Sequence, residues 1–305
     1  MERLWTPWRM SYVSERGTSG CVLCVPDSPA HDIERLIVQR GENAYSMLNL
    51  YPYNTGHVLI VPYQHVASFD QVDRETRHEM FDLAALFMEI ARRVLRCDGF
   101  NMGMNVGETA GAGVAEHIHL HVVPRWTGDA NFMPILAGTI VLPELLPVTY
   151  ARLRAELELT LATRDRGAVP EAGAVVLVRG RGAVVLRRSP TGEIVLPKGR
   201  VEPGETTVAA ALREVREQTG IQAEPAGWAG SSTFDWTTDG GRTETRHVAY
   251  VVGVGTLTCD AQRHLGDDTL LVPIDDAAGM LGVQALSSML ESLVPTLHRL
   301  SGSEQ

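Results

Sequence analysis

The chain has 305 residues, of which 44% are hydrophobic and 21% are charged, a composition typical of globular proteins with room for two ordinary domains. Its formal net charge of -10 at pH 7 disfavours nucleic acid and anionic membranes as partners, although it permits a nucleotide in a local site. The sequence has no apolar stretch of signal-peptide or transmembrane length and only four cysteines, so a cytoplasmic location without a disulfide framework is predicted.

The first half of the chain is predicted to alternate strands with one long helix. Residues 37–62 indicate two strands joined by a turn near residues 52–56. Residues 74–97 indicate a helix, because apolar side chains recur there at spacings of three and four, at Phe81, Ala84, Met88, Ala91 and Leu95. The remaining elements are two strands and a second helix, predicted at 100–106, 117–123 and 143–162.

The composition changes at residues 163–172, which are polar, contain Gly and Pro and show no periodicity. Such a stretch indicates a linker. The predicted organisation is therefore a first domain at 1–162 and a second domain at 173–305. The second domain is predicted to begin with a hairpin, whose strands lie at 173–178 and 183–186.

Three histidines alternate with apolar residues late in the first domain, at His117, His119 and His121. Alternate side chains of a strand share one face, so the histidines are expected on one side and the core on the other, packed by Ile118, Leu120 and Val122. Each imidazole has two ring nitrogens that need partners, so burying three idle ones costs free energy. The pattern indicates a functional site, and three surface histidines on an edge strand are the alternative.

This run resembles the histidine triad of the HIT superfamily of nucleotide hydrolases and transferases, and the resemblance extends to residues 49–62 and 124–126. Residues 4–9, 49–62 and 128–132 are similar to the bacterial branch that contains diadenosine tetraphosphate phosphorylases. The hexose-1-phosphate uridylyltransferases of the superfamily typically carry Gln where this chain has His121, which favours the hydrolase and phosphorylase side. The resemblance implies an α+β domain, with an antiparallel sheet and helices, that forms a homodimer.

The resemblance assigns catalysis to three histidines. His119 would be the nucleophile that attacks the α-phosphorus of a nucleotide and forms a nucleotidyl-histidine. A backbone carbonyl near the start of the strand would fix the tautomer of its ring. His121 would lie near the transferred phosphate, and His57 would reach the same region from residues 49–62.

The resemblance also implies nucleotide-binding residues. Asn49 would hold the ribose, while Asn105 and the loop from Gly107 to Gly113 would offer donors to phosphate oxygens, since glycine lets backbone N–H groups approach closely. Trp126 is predicted to stack on a base, and a place in the core is its alternative. Many HIT hydrolases have Gln and some phosphorylases have Ser at the position of Gly113, so the acceptor, water or phosphate, is left open.

A zinc site is predicted at the Cys-x2-Cys knuckle formed by Cys21 and Cys24, a spacing typical of a metal corner. A redox pair is the alternative. HIT relatives with this knuckle complete a tetrahedral site with a histidine after the hairpin and with the first histidine of the triad. In this chain those residues are His65 and His117, and such a closed site would be structural.

A second motif begins at Gly199 and reads GRVEPGETTVAAALREVREQTGI. Its apolar residues fall at i, i+3, i+4 and i+7 of a short helix and are expected to face the core, at Val208, Ala211, Leu212 and Val215. Glu214, Glu217 and position 218 share another face of that helix. Clustered carboxylates there would hold magnesium through oxygen ligands, and a solvated acidic helix is the alternative.

The spacing Gly-x5-Glu-x7-Arg-Glu-Val-x-Glu-x2-Gly-Ile resembles the box of Nudix hydrolases, which implies an α/β/α sandwich around a mixed sheet. The resemblance also implies a structural salt bridge between Glu205 and Arg213, and a magnesium or manganese ion held by the Gly199 carbonyl with Glu214 and Glu217. The family pattern ends its acidic cluster in Glu-Glu, whereas this chain has Gln218 at the second position. Gln keeps an oxygen but loses a charge, so the metal site is expected to be weaker or rearranged.

Together these patterns predict a two-domain enzyme that cleaves dinucleoside polyphosphates, such as diadenosine tetraphosphate, through His119, with a second, magnesium-dependent Nudix pyrophosphohydrolase domain. In one alternative the first domain transfers the nucleotidyl group to another acceptor or hydrolyses phosphoramidates. In the other the second domain senses a nucleotide without cutting it. The expected partner is a nucleotide, and neither nucleic acid nor a membrane is expected.

Overall fold

The computed structural model describes residues 20–25, 28–129, 144–237, 240–257 and 268–302. The chain divides into two compact units, Met1–Thr149 and Tyr150–Gln305, called here the first and second units. The motif at 4–9 and part of the one at 128–132 lie outside the described residues.

The first unit contains a five-stranded antiparallel sheet with the order β1-β2-β3-β5-β4. Its strands are β1 (Ile37–Arg40), β2 (Ala44–Leu48), β3 (Val58–Pro62), β4 (Gly99–Met104) and β5 (Leu120–Arg125). Short 3-10 helices occur at Pro29–His31, Phe69–Gln71 and Glu108–Ala110. The predicted antiparallel sheet is confirmed, although residues 37–62 form three strands where two were predicted.

Helix α1 (Arg74–Leu95) packs against β2, β3 and β5. Asp73 caps its N-terminus by accepting a hydrogen bond from the Thr76 amide, and Arg96, at φ 52°, ends it in the left-handed conformation. The buried face is centred on Met80, Leu83, Phe87, Ile90 and Val94, whereas Phe81 is 43% exposed. The predicted apolar stripe was therefore wrong in part, because this helix has apolar residues on two flanks and periodicity alone does not say which flank meets the sheet.

The second unit contains a seven-stranded mixed sheet. Strands β6, β7 and β10–β12 follow the order β10-β11-β6-β7-β12, with β8 paired to β7 and β9 paired to β6, and only the β11–β6 pair is parallel among these pairings. Its strands are β6 (Val169–Val178), β7 (Ala183–Arg188), β8 (Ile194–Val195), β9 (Lys198–Arg200), β10 (Gln222–Thr237), β11 (Thr243–Thr256) and β12 (Thr269–Pro273).

Helices cover this sheet. They are α2 (Leu146–Arg166), α3 (Thr207–Thr219), α4 (Ile274–Ala277) and α5 (Gln284–Ser301), with a 3-10 helix at Ala278–Met280. Val175 and Leu177 of β6 share an apolar cluster with Leu290 of α5, and the alternate residues of β6 are equally buried. A strand buried on both faces lies between two helical layers, which confirms the predicted α/β/α sandwich.

The boundary between the units differs from the predicted linker at 163–172. Helix α2 runs to Arg166 and β6 begins at Val169, so most of the predicted linker is helix or strand. Helix α2 lies almost wholly in the second unit and is bonded to α3 there, where the Thr207 amide and hydroxyl donate to Glu156 at 3.0 and 2.9 Å. The exposed last turn of α2 is polar, and its composition cannot be told from that of a linker. Among the described helices none is both long and apolar enough to cross a bilayer.

Candidate active site and metal centre

The three histidines lie at the start of β5, an interior strand of the first sheet between β3 and β4. Ile118, Leu120 and Val122 are buried in the core, as the alternation predicts. His117 and His119 precede the strand and are also buried, while His121 lies within it, opposite Leu59 of β3 and Gly103 of β4. The histidines are thus held inside the unit and are not surface residues of an exposed edge.

The ring of His119 is held in one tautomer. Its Nδ1 donates to the backbone carbonyl of His117 at 2.9 Å, so neutral His119 carries its proton on Nδ1 and keeps a lone pair on Nε2. Burial lowers the pKa of His119, partly offset by the hydrogen bond to His117, which favours the neutral ring. A neutral imidazole with a free Nε2 lone pair is the form in which histidine acts as a nucleophile.

A second hydrogen-bonded chain joins His57 to His121. The backbone N–H of Tyr53 donates to Nδ1 of His57 at 3.0 Å, which leaves the proton of neutral His57 on Nε2. That Nε2 donates to Nδ1 of His121 at 3.0 Å. Burial, together with the nearby rings of His121 and His119, lowers the pKa of His57 to about 3. Neutral His121 therefore carries its proton on Nε2, and the rings of His119 and His121 lie 4.8 Å apart between centroids.

The hairpin between β2 and β3 positions this chain. Asn49 accepts a hydrogen bond from the Tyr51 amide at 3.0 Å, and its Nδ2 lies 3.3 Å from Nδ1 of His57. The ring of Tyr53 stacks on His57 with 4.8 Å between centroids. No sequence motif marks Tyr53, because it contributes a backbone amide and a stacked ring in a turn.

The predicted phosphate loop follows β4. Met104 at the end of β4 pairs with Leu120 at the start of β5, so Asn105 and His119 are the next residues beyond the paired part of the two strands. Gly107 and Gly111 adopt φ values of 80° and 85°, which only glycine adopts at little cost, and they flank a 3-10 helix. Gly113 does not need this conformation, so the turn depends on Gly111, which the sequence analysis did not single out.

Trp126 lies at a corner after β5. Its indole N–H donates to the Leu95 carbonyl at 3.3 Å, which fixes the ring against the end of helix α1. Next to it Arg125 and Asp129 form an ion pair at 2.6 Å that holds the pKa of Asp129 at about 2. Asn54 also donates to Asp129 at 2.9 Å, which ties this corner to the hairpin. Trp126 thus has a structural contact, and stacking on a base stays a prediction.

The four predicted zinc ligands come together. His117 Nδ1 lies 3.4 Å from the Cys21 sulfur and 3.7 Å from the Cys24 sulfur, and His65 Nδ1 lies 3.3 Å from the Cys24 sulfur. All four ligand atoms lie within 4.8 Å of one another. Tetrahedral zinc with these donors separates its ligands by about 3.3–3.8 Å, so the cluster needs only a small contraction to bind the ion.

Neighbouring groups orient the cluster for a metal. His117 donates from Nε2 to the Pro62 carbonyl at 2.9 Å, which leaves Nδ1 free to bind a metal, as is usual for metal-bound histidines. The Cys24 amide donates to the Cys21 carbonyl at 3.1 Å and closes the knuckle. The buried Tyr45 hydroxyl donates to the Leu23 carbonyl between the two cysteines. The residues present therefore fit a closed, four-ligand zinc site.

The second motif forms helix α3 and the turn before it. Thr206 caps α3 at its N-terminus, and Gly220, at φ 72°, ends it. Arg213 pairs with Glu205 at 3.0 Å, where the Nudix pattern implies a salt bridge. The Arg213 guanidinium also donates to Glu214 at 2.7 Å and to the Arg200 carbonyl at 2.9 Å.

Gln218 occupies the position where the family pattern has a second glutamate. Its Nε2 donates to the Lys198 carbonyl at 2.8 Å and to Glu214 Oε2 at 2.6 Å, and its Oε1 accepts from Arg187 Nη1 at 2.9 Å. These partners fix the orientation of the amide, because exchanging its nitrogen and oxygen would set donor against donor and acceptor against acceptor.

The predicted magnesium donors are engaged by these groups. Both carboxylate oxygens of Glu214 accept hydrogen bonds, one from Arg213 and one from Gln218. Glu217 lies 3.3 Å from Arg213 with about half of its side chain exposed. Gly199 lies against Glu214, where any Cβ would collide with the carboxylate. With both oxygens of Glu214 paired and Glu217 turned toward Arg213, these donors as they stand do not fit a magnesium ion.

Comparisons with known proteins identify both units. The HIT domain model matches residues 30–128, and the NUDIX domain model matches residues 168–283. The protein named AP-4-A phosphorylase of Mycobacterium tuberculosis is 40% identical over an alignment of 168 residues that covers 51% of this chain and 84% of that protein. The chain therefore belongs to the HIT family, and its second unit is a NUDIX domain.

Two further similarities cover one unit each. The protein named Nudix hydrolase 3 of Caenorhabditis elegans is 46% identical over an alignment of 56 residues that covers 16% of this chain and 23% of that protein. A crystal structure of a zinc-bound histidine triad family protein from Mycobacterium smegmatis is 27% identical, with a TM-score of 0.39 and coverage of 50% of this chain and 99% of that one.

Proposed function

We propose that the first unit cleaves dinucleoside polyphosphates of the diadenosine tetraphosphate type through a nucleotidyl-histidine at His119. The observation that carries the proposal is the hydrogen bond from His119 Nδ1 to the His117 carbonyl, which leaves Nε2 with a free lone pair. The similarity to a protein named AP-4-A phosphorylase supports the choice of substrate.

In the proposed reaction, Nε2 of His119 forms a bond to the α-phosphorus while the bond from phosphorus to the bridging oxygen breaks. That oxygen takes the bonding electrons and leaves on the remaining nucleoside polyphosphate. The Nε2–H of His121 would donate to a phosphate oxygen, whereas the amides of Ala110, Gly111 and Ala112 already donate to carbonyls within their own loop. Water or phosphate then attacks the same phosphorus and releases His119.

Separating the products of diadenosine tetraphosphate tests this proposal and identifies the acceptor. ADP and ATP formed only when phosphate is present would identify a phosphorylase, whereas AMP and ATP formed without phosphate would identify a hydrolase. AMP released from adenosine 5′-phosphoramidate but not from the tetraphosphate would support the alternative HIT activity. Products that persist unchanged in the His119→Ala variant would contradict the proposal.

His121 contributes to this reaction as a neutral hydrogen-bond donor. Since its Nδ1 accepts from His57, its remaining proton is on Nε2, and a polyphosphate that leaves as an anion needs a hydrogen bond more than a transferred proton. We expect His121→Gln, which keeps an N–H donor, to lower kcat/KM by about tenfold at most, and His121→Leu to lower it by about 10²-fold or more. Steady-state kinetics of both variants measure this, and equal losses would show that His121 must transfer a proton.

We also propose that Cys21, Cys24, His65 and His117 hold a structural zinc ion. The ion would supply rigidity alone, since four protein ligands leave no open position for a substrate. The fit of the four ligand atoms and the hydrogen bond from His117 to Pro62 support this assignment.

A homodimer of the first unit is a further part of the proposal. Strand β4 is at one edge of the five-stranded sheet, and Met102 on it is 47% exposed. The free backbone groups of an edge strand pair readily with a second copy. We expect Met102→Lys to raise the dimer dissociation constant by about tenfold or more in sedimentation experiments, while Leu50→Lys, at an exposed apolar residue outside β4, leaves it unchanged. A monomer at all concentrations would refute the dimer.

For the second unit we propose nucleotide binding. Magnesium- or manganese-dependent hydrolysis, which the box pattern predicts, is the competing function. The hydrogen bonds of Gln218 to Arg187 and Glu214 favour binding without hydrolysis, because they use the groups that a divalent ion would need.

A further inference from the structure

The box of the second unit contains a cation that its sequence pattern does not predict. Arg187 lies in β7, and its Nη1 donates to Oε1 of Gln218. Nε2 of the same amide donates to Glu214. The guanidinium therefore lies one amide group away from the carboxylate that the pattern assigns to a metal.

Arg187 has no carboxylate partner among the described residues. It forms no ion pair in that part of the chain, its Nε is buried without a hydrogen-bond partner, and its side chain donates a hydrogen bond to Gln218. The nearby cations differ, because Lys198 and Arg246 both pair with the buried Glu171. A partly buried guanidinium with unused donors favours an anion, and phosphate oxygens match its planar fork.

The same contacts disfavour a divalent cation at this place. Gln218 removes one negative charge from the box, and the two oxygens of Glu214 already accept from Arg213 and Gln218. An ion bound to Oε1 of Gln218 would lie beside Arg187, where like charges repel and partial burial limits screening by solvent.

We propose that the box of the second unit binds a phosphate or pyrophosphate group without a divalent metal, and that Arg187 supplies the positive charge that magnesium would otherwise supply. The site takes its ligand through the free donors of the guanidinium, and Gln218 holds the guanidinium in place. The inference refines the binding role proposed for the second unit and is independent of the chemistry at His119.

Titration of inorganic pyrophosphate into the full chain by calorimetry, in buffer freed of divalent ions, tests the anion site. We expect binding to the unmodified chain and an affinity at least tenfold weaker in Arg187→Met. The matched control is Arg188→Met, at the next residue of β7, where the side chain is exposed and faces the other side of the strand. It should bind within twofold of the unmodified chain. Equal affinity of the Arg187→Met and Arg188→Met variants would overturn the proposal.

If Arg187→Met does not fold, as judged by circular dichroism, Arg187→Lys replaces it. Lysine keeps the charge but lacks the fork, so weaker binding of pyrophosphate is expected, and unchanged affinity would contradict the role of the guanidinium.

A titration with Mn²⁺, followed by electron paramagnetic resonance, tests whether the box of the second unit binds a divalent metal. We expect Glu214→Gln to change nothing in the Mn²⁺ titration, because the box binds none. Gln218→Glu alone should not create a site, since the new carboxylate pairs with Arg187, whereas Arg187→Met combined with Gln218→Glu should bind one additional Mn²⁺. Mn²⁺ that is bound by the unmodified chain and lost in Glu214→Gln would refute the proposal, whatever the activity of the first unit.

Discussion

The His119→Ala variant is expected to lose at least about 10³-fold in kcat/KM for diadenosine tetraphosphate, equivalent to about 4 kcal/mol of transition-state stabilisation. The size of the effect follows from the role of the ring, because alanine leaves no group at that position to form the bond to phosphorus. Folding should be affected much less, since the ring makes one hydrogen bond, to the His117 carbonyl, and that carbonyl can bond to water admitted into the space.

Two measurements separate a lost nucleophile from a damaged site. The variant should still bind a non-hydrolysable diadenosine polyphosphate with an affinity near that of the unmodified chain. In addition, an acid-labile radioactive adduct should form on the unmodified chain during turnover and be missing from the variant. His78→Ala, at an exposed histidine of α1, is the control and should keep full activity. Residual cleavage above a tenth of the original rate would place the nucleophile elsewhere.

The Cys24→Ser variant is expected to lose one equivalent of bound zinc and to lower the unfolding temperature of the first unit by about 10 °C. Hydroxyl oxygen is a poor ligand for zinc, so one corner of the tetrahedron is lost. Metal binding is coupled to folding, and a loss of about 3 kcal/mol in a unit of this size corresponds to a shift of that order.

Metal analysis and calorimetry of the same preparations measure both effects. Cys97→Ala is the control, because Cys97 is a buried cysteine outside the cluster, and removing it should leave the zinc content unchanged even if stability falls. A chain that contains no zinc and in which Cys21 and Cys24 form a disulfide would contradict the assignment and support the redox pair.

Much of the first unit could be predicted because its determinants are local. The alternation of His117 to Val122 fixes which side chains meet the core, and the Cys-x2-Cys spacing limits Cys21 and Cys24 to a shared corner. The orientation of the rings could not be predicted, since it depends on backbone groups. The amide of Tyr53 and the carbonyl of His117 are present in every residue type, so no sequence pattern marks the positions at which they fix a tautomer.

In the second unit the sequence predicts the helix of the box and the loss of a negative charge at Gln218. It does not predict the positive charge of Arg187 beside it. Arg187 lies 31 residues before Gln218, in a strand whose neighbours are set by tertiary pairing, and nothing in its local sequence connects it to the box. The unit boundary was missed for a related reason. The end of α2 is solvated, and solvated helical turns and linkers have the same polar composition.

The hydrogen bond from the Tyr53 amide to His57 has a consequence for the movement of protons. A backbone amide does not give up its proton at ordinary pH, and His57, with a pKa of about 3, does not take up a second one. The hydrogen-bonded chain that runs from His121 through His57 is therefore closed at its inner end. Protons that enter or leave the histidine cluster are therefore expected to do so at Nε2 of His121 and His119, and not through His57.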